Sequence, residues 1–182
     1  MSKGTKQSYN DVLPTAQRIV EKLGAYSQRI EIAGSLRRQR PLIGDIEIVA
    51  IPDYARDLFG DPDLSRNMLK HFLITSGAKM PKCGDKYIQF KYGAYMVDLF
   101  TPSPETWGSV FLIRTGSHDF NMWLMTVWSP KVNVRFTGGR LLRRHNGELI
   151  ETPEEVDVFK VLQLPLIPPE ARDDGRWMKY IE

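Results

Sequence analysis

Acidic side chains inside two apolar segments are the first residues in the sequence that could do chemistry. Asp45 and Glu47 lie in the run DIEIVAI, and Asp98 lies in MVDLF. If each run is a strand, residues two apart point to the same face, so Asp45 and Glu47 lie together. Three carboxylates on neighbouring strands suit Mg²⁺, which binds oxygen ligands. The alternative is an edge strand whose acids face solvent and pair with arginines.

A glycine turn followed by two arginines precedes these acids. Gly34 and Ser35 end a short apolar run, and Arg37 and Arg38 follow. Backbone N–H groups, a hydroxyl and two guanidiniums are groups that bind phosphate oxygens. Alone, this pattern is more typical of an ordinary surface turn. Together with the acids downstream, it predicts a site for a nucleoside triphosphate and its metal ions.

The elements that must position these residues follow from apolar spacing. Helices are predicted over residues 12–24, 64–74, 117–128 and 152–162. Strands are predicted over residues 29–33, 45–51, 86–92 and 95–100, with residues 53–62 as a loop. Gly93 and Ala94 form the turn of a hairpin, and Thr152 to Glu155 form a capping box. The run TPSP separates two predicted domains, residues 1–103 and 104–182.

Composition places the chain among globular proteins. It has 182 residues, 42% hydrophobic and 26% charged, with a net charge of +3, which excludes a disordered or fibrous chain. A polar start and the lack of a long apolar run indicate a soluble, intracellular protein without signal peptide or transmembrane segment. One cysteine, Cys83, excludes a cysteine-based zinc site, so any metal must be bound by oxygen. Residues 131–145 are basic and residues 148–174 are strongly acidic.

The order of these motifs resembles the nucleotidyltransferase superfamily and, within it, the family X DNA polymerases, which include DNA polymerase beta. The segments that carry the resemblance are AGSLRRQRPLIGDIEIVAIP, MVDLFTP, RTGSHDFNMWL and TPEEVDVFKVLQLPLIPPEAR. The resemblance implies an α+β fold. A nucleotidyltransferase-type palm with a mixed β-sheet and flanking helices would span residues 1–103, and a small α/β thumb subdomain would span residues 104–182.

The resemblance also implies roles for single residues. Asp45 and Glu47 would bind two Mg²⁺ ions, for which Mn²⁺ could substitute, and Asp98 would bind the catalytic ion and accept the proton of the primer 3′-hydroxyl. The implied nucleotide-binding residues are Gly34, Ser35, Arg38, Gly44, Ile113, Arg114, Thr115, Gly116, Ser117, His118 and Asn121. The implied partners are DNA and a dNTP, with no membrane contact, and the protein is expected to be a monomer.

The sequence departs from the family pattern at three places. Glu47 stands where the family usually has Asp, which affects rate and metal preference. Ile113 and Arg114 stand where Tyr-Phe often discriminates between sugars, and Met96 replaces an arginine near Asp98.

Too few residues precede Gly34 for the lyase and helix-hairpin-helix modules of larger relatives, so DNA is expected to be held by other basic residues. The candidates, which could also be solvated surface residues, are Lys79, Lys82, Lys86, Lys131, Arg135, Arg140, Arg143 and Arg144.

The predicted function is therefore a metal-dependent DNA polymerase. It would add dNMP to a primer 3′-hydroxyl with release of pyrophosphate, filling short gaps in DNA repair. Two alternatives stay open. One is a nucleotidyltransferase with another acceptor, such as RNA, a protein side chain or a small molecule. The other is a nucleic-acid-binding module that has lost catalysis.

Overall fold

The structure, a computed structural model, describes residues 6–181. The strands are, in chain order, β1 (Gln7–Ser8), β2 (Ser27–Ile32), β3 (Leu42–Ile43), β4 (Ile46–Pro52), β5 (Tyr54–Arg56), β6 (Pro62–Asn67), β7 (Lys82–Cys83), β8 (Tyr87–Tyr92), β9 (Tyr95–Phe100), β10 (Val134–Thr137), β11 (Arg140–Arg143) and β12 (Leu149–Ile150). The α-helices are α1 (Tyr9–Gly24), α2 (Gly34–Arg37), α3 (Met68–Thr75), α4 (Trp107–Thr115), α5 (His118–Trp123) and α6 (Glu155–Val161). The predicted α+β class with a mixed sheet is confirmed.

Two compact units make up the described chain. The first contains the described part of residues 1–32 together with residues 42–101, and the second contains residues 33–41 and the described part of 102–182. This division differs from the single predicted boundary after residue 103, because the segment GSLRRQR folds with the residues that follow 101. Residues 1–5 and 182, which the two predicted domains include, lie outside the described residues.

A mixed five-stranded sheet forms the centre of the first unit. Its strand order is β2-β4-β9-β8-β7, with β4 and β9 parallel and the other neighbours antiparallel. Alternate residues of β8 and β9, among them Ile88 and Leu99, are buried on one face, whereas β4 is buried at every position except the half-buried Glu47. Helix α1 packs against β2 and β4, and its buried stripe includes Val12, Ala16, Ile19 and Leu23. One face of the sheet is therefore core, and the opposite face carries polar side chains at the half-buried positions Glu47, Gln89 and Asp98.

A small hairpin replaces the predicted loop over residues 53–62 and the first part of the predicted helix 64–74. Strands β5 and β6 pair antiparallel, and α3 begins only at Met68. The Asn67 side chain accepts a hydrogen bond from the Lys70 N–H at 2.9 Å, which caps the helix at this point. Leu64 is 75% exposed rather than part of the core, so its apolar character does not mark a helical face.

The second unit packs α4, α5 and α6 with a three-stranded antiparallel sheet of order β10-β11-β12. Its core includes Leu112, Phe120, Leu141, Phe159 and Trp177. The predicted helix 117–128 continues beyond α5 as a π-helix, Leu124–Trp128. Helix α6 is capped by Glu154 with Asp157 three residues on. The predicted capping residue, Thr152, is therefore two residues too early, because the Asp157 carboxylate accepts the Glu154 N–H at 3.1 Å.

The helices of both units are too short or too polar to cross a lipid bilayer. This holds for every helix among residues 6–181.

Candidate functional site

Glu47 and Asp98 lie directly opposite each other on adjacent strands. The parallel pairing of β4 and β9 aligns Glu47 with Asp98, and their neighbours Ile48 and Leu99 are also aligned. Both acids are half-buried, whereas Ile48 and Leu99 are fully buried on the other face. Period-two alternation thus places the two carboxylates on the face away from the hydrophobic core.

Asp45 immediately precedes β4 and is an exposed residue. Partial burial of its carboxyl and the negative charge of Asp98 raise its pKa above the ordinary value, against a smaller opposing effect of a backbone hydrogen bond. Repulsion of this kind requires the two carboxylates to be close. The three predicted acids therefore form an acidic face on the first unit.

Asp98 is held by two hydrogen-bond donors that sequence reasoning missed. The Tyr87 hydroxyl donates to Asp98 Oδ1 at 2.6 Å, and Gln89 Nε2 donates to the same oxygen at 2.8 Å. The signal was present in the sequence. A two-residue turn at Gly93-Ala94 aligns Gln89 with Asp98, and alternation along β8 puts Tyr87 on the same face.

The donor chemistry of the acidic face fits Mg²⁺. The residues supply carboxylate oxygens, and Mg²⁺ binds through one or two carboxylates while substrate phosphates and waters complete its shell. Within residues 6–181, no group of three or more His, Cys, Asp or Glu side chains is close enough to form a metal site by itself. Asp45, Glu47 and Asp98 are thus the residues that would hold the ions jointly with a substrate, and metal binding remains a prediction.

In the second unit, the segment GSLRRQR is tied to α6 and the C-terminal region by charged hydrogen bonds. Arg37 donates to both carboxylate oxygens of Glu155, at 2.8 and 2.7 Å, and Arg172 donates to Glu155 at 2.8 Å. Burial opposes ionisation of Glu155, but the hydrogen bond from Arg37 and the charge of Arg172 outweigh it and hold its pKa below the ordinary value. Arg37 is therefore a structural residue of this unit.

Arg38, which the resemblance assigns to the triphosphate, contacts protein groups in this structure. Its Nε lies 3.1 and 3.2 Å from the two carboxylate oxygens of Asp173, and its Nη1 donates to the Thr115 carbonyl. Arg40 lies 3.2 Å from Asp174. A phosphate group binding at Arg38 would take the place that Asp173 occupies.

The predicted Thr115-Gly116-Ser117 turn joins α4 to α5 beside Arg38. Thr115 is buried, and its hydroxyl accepts a hydrogen bond from Arg37 at 2.7 Å. Gly116 has φ of 71°, and a Cβ there would lie 3.0 Å from Arg38 Nη1, so the position suits glycine. The Gly116-Ser117 peptide bond is cis. Residues 34–38 and this turn, separated in sequence, are therefore brought together.

The remaining predicted nucleotide-binding residues surround this turn, apart from one. The Ser117 hydroxyl accepts from the Phe120 N–H at 3.3 Å, and Asn121 Nδ2 donates to the Ile113 carbonyl at 2.8 Å. His118 and Arg114 are exposed and Ile113 packs against the core of the unit. Gly44 lies in the first unit, next to Asp45, with open space where a side chain would begin.

The predicted DNA-binding lysines of the first unit are solvent-exposed. Lys79, Lys82 and Lys86 lie on or beside β7 and β8. Lys82 Nζ is 5.2 Å from the centroid of the Tyr87 ring, a cation–π distance. These ammonium groups are accessible to a phosphate backbone.

The predicted DNA-binding residues of the second unit lie on and beside β10 and β11, and all five are exposed. Arg143 Nε lies 3.6 Å from Glu148, Arg144 Nε donates to the Val134 carbonyl at 2.8 Å, and Lys131 lies 4.9 Å from the Trp128 ring. Arg135 and Arg140 extend from β10 and β11 themselves. The five cations thus share one region of this unit.

Fold and site define the class: an α+β protein whose mixed sheet carries carboxylates on two adjacent strands. The family model "DNA polymerase beta thumb" matches residues 110–173, all within the second unit. The chain is 25% identical over 166 residues to the DNA polymerase/3'-5' exonuclease PolX of Bacillus subtilis (strain 168), covering 90% of this chain and 28% of the relative. Both matches confirm the resemblance to the family X DNA polymerases. It spans about a quarter of the length of that relative.

Proposed function

We propose that this chain is a metal-dependent DNA polymerase. It adds dNMP to a primer 3′-hydroxyl, releases pyrophosphate and fills short gaps during DNA repair. The observation that carries the proposal is the alignment of Glu47 with Asp98 on parallel strands, with Asp45 close enough to Asp98 to raise its pKa. Half-buried carboxylates on adjacent strands are costly unless cations or hydrogen-bond donors compensate their charge. The family relationship supports the same reaction.

The reaction requires a proton acceptor and neutralisation of charge. The 3′-oxygen forms a bond to the α-phosphorus as the bond to pyrophosphate breaks, and the hydroxyl proton leaves. Asp45, Glu47 and Asp98 would hold the divalent ions, and Asp98 would also accept that proton. When bound, Mg²⁺ would make the primer 3′-hydroxyl more acidic and would stabilise negative charge on the leaving oxygen. Ser35 and Arg38 bind the terminal phosphates, with Arg38 exchanging Asp173 for phosphate oxygen.

Primer extension on single-nucleotide-gapped DNA, with Mg²⁺ or Mn²⁺ and each dNTP separately, tests the proposal. We expect incorporation of the complementary nucleotide, and Asp98→Ala to lower it about a thousand-fold or more. Glu31→Gln is the matched control, because Glu31 is an exposed acid on β2 of the same sheet. Its rate should equal that of the wild-type protein.

Other outcomes distinguish the alternatives. Incorporation into RNA instead of a DNA primer would indicate another acceptor. DNA binding without incorporation by either metal, unchanged in Asp98→Ala, would contradict the polymerase proposal and favour a silent binding module. Separate rNTP reactions test sugar choice. Ile113, which packs against the core, and Arg114, which is exposed, stand where Tyr-Phe often discriminates between sugars in the family.

A further inference from the structure

The Asp98 carboxylate is immobilised by its own sheet. The Tyr87 hydroxyl and the Gln89 amide both donate to the same oxygen, Oδ1, at 2.6 and 2.8 Å. A carboxylate with two donors on one oxygen cannot rotate freely about its Cβ–Cγ bond. The direction of its second oxygen, Oδ2, is therefore determined by β8 and does not depend on a bound ligand.

The two donors are themselves held in place. The Tyr87 ring stacks on Phe100 with centroids 5.0 Å apart and an interplanar angle of 19°. Lys82 Nζ lies 5.2 Å from the same ring. Gln89 is aligned with Asp98 across the β8–β9 ladder, so a short reach suffices. Donors with restrained side chains are what a preorganised site requires.

The position of these donors matters for chemistry at Asp98. Met96, on the same strand and face as Asp98, cannot donate a hydrogen bond to it. Asp98 must therefore be oriented from the neighbouring strand, and β8 supplies both a hydroxyl and an amide. Neither donor carries a charge, so they orient the carboxylate while leaving its negative charge available for a cation.

We propose that Tyr87 and Gln89 are positioning residues that hold Asp98 in its working orientation before metal and substrate bind. The proposal rests on the proposed function, in which the working orientation of Asp98 is the one that binds a cation and accepts the primer proton. The two donors are expected to affect cation binding as well as the rate. Without these donors, Asp98 samples several orientations, and both cation affinity and the rate of the chemical step decline.

Three variants test this. Tyr87→Phe removes one hydroxyl and keeps the ring that stacks on Phe100, Gln89→Met removes the amide at similar volume, and the third combines both. The matched control is Tyr95→Phe, which removes a hydroxyl of the same hairpin that donates to Gln7 at 2.8 Å instead. Asp98→Asn serves as the reference for loss of the ligand itself.

The first measurement is Mn²⁺ affinity, read by electron paramagnetic resonance of free Mn²⁺ without DNA. We expect each single variant to bind Mn²⁺ roughly ten-fold more weakly and the double variant more weakly still. Tyr95→Phe should match the wild-type protein. The second measurement is single-turnover incorporation, where the rate constant should fall by about ten-fold while the dNTP dissociation constant changes little.

Three results would overturn the proposal. The first is wild-type Mn²⁺ affinity in both single variants, and the second is the same loss in Tyr95→Phe, which would indicate general weakening of the hairpin. Equal Mn²⁺ affinity of Asp98→Asn and the wild-type protein would also overturn it, since Asp98 would then bind no cation. If the wild-type protein incorporates no nucleotide, the proposed function fails. The Mn²⁺ titration still decides the role of Tyr87 and Gln89 in that case.

Discussion

The proposed chemistry depends on the negative charges of three side chains, Asp45, Glu47 and Asp98. Glu47 and Asp98 are aligned on parallel strands, and partial burial and the charge of Asp98 raise the pKa of Asp45. Without divalent cations, the folded state must hold like charges close together. The site is therefore expected to reduce the stability of the protein that carries it, as functional sites often do.

Asp45→Asn tests this trade-off. In metal-free buffer at pH 7, we expect the free energy of unfolding to increase by up to about 1 kcal/mol, because a neutral amide removes repulsion with Asp98. The measurement is chemical denaturation followed by circular dichroism. Primer extension by the same variant should be lost. Adding Mg²⁺ should narrow the stability difference, and a variant less stable than the wild-type protein at pH 7 would contradict the explanation.

A buried cluster of ion pairs connects helices α2 and α6 in the second unit. Arg172 has a fully buried side chain and lies 2.8 Å from Glu155, and Arg37 lies 2.7 Å from the other Glu155 oxygen. The ionised Glu155 is stabilised in the folded state, so its pKa is lower there than in the unfolded chain. This contribution to stability is present above the unfolded pKa and is lost as pH falls through the folded pKa.

Glu155→Gln is expected to lower the free energy of unfolding by about 3 kcal/mol at pH 7, because it leaves two partly or fully buried arginines without their carboxylate. The difference should shrink as pH falls below the ordinary glutamate pKa of 4.5, where the wild-type protein loses the same interaction. Urea unfolding over a pH series measures it. The control is Glu148→Gln, an exposed partner of Arg143, which should change stability by less than about 1 kcal/mol. A constant difference across the pH series would contradict the assignment.

The net charge of the whole chain is small, +3, but its charged residues are unevenly distributed along the sequence. The exposed cations of β10 and β11 and those near β7 and β8 are the groups available to a phosphate backbone. Binding of DNA through such groups releases counterions and therefore depends steeply on salt. The affinity for DNA, rather than the fold, is expected to respond to their removal.

Arg135→Ala and Arg140→Ala should each weaken DNA binding. Each should also reduce the slope of log K against log salt concentration by about 0.9 for every phosphate that the arginine neutralises. Fluorescence anisotropy with labelled gapped DNA over a salt series measures both effects. Lys160→Ala is the matched control, because Lys160 is an exposed cation of the same unit whose ammonium lies 2.9 Å from Asp157. An equal change in slope for Lys160→Ala would mean that general charge, rather than a binding surface, is responsible.

Several helices and strands could be predicted from the local periodicity of apolar residues, and the family resemblance could be predicted from the order of motifs. Apolar spacing predicted α1, α6 and the strands of the β8–β9 hairpin, because burial on one face has a period set by backbone geometry. The prediction from apolar spacing was wrong at residues 53–67. Leu64 has the spacing of a buried helical position but is exposed, and α3 begins only after its capping residue Asn67. The motif order was sufficient to show the resemblance to the family X DNA polymerases, since it depends on residue types and not on the contacts between them.

Tertiary structure alone decided which distant residues meet. No local pattern specifies that β4 pairs parallel with β9 and aligns Glu47 with Asp98, because a parallel pair is joined by a long crossover. The same holds for residues 33–41, which fold with the second unit through ion pairs of Arg37 and Arg38 with Glu155 and Asp173. The sequence alone determined which chemical groups are present and on which face of each element they lie. Packing between elements decided their partners, because contacts between distant segments depend on the whole folded chain.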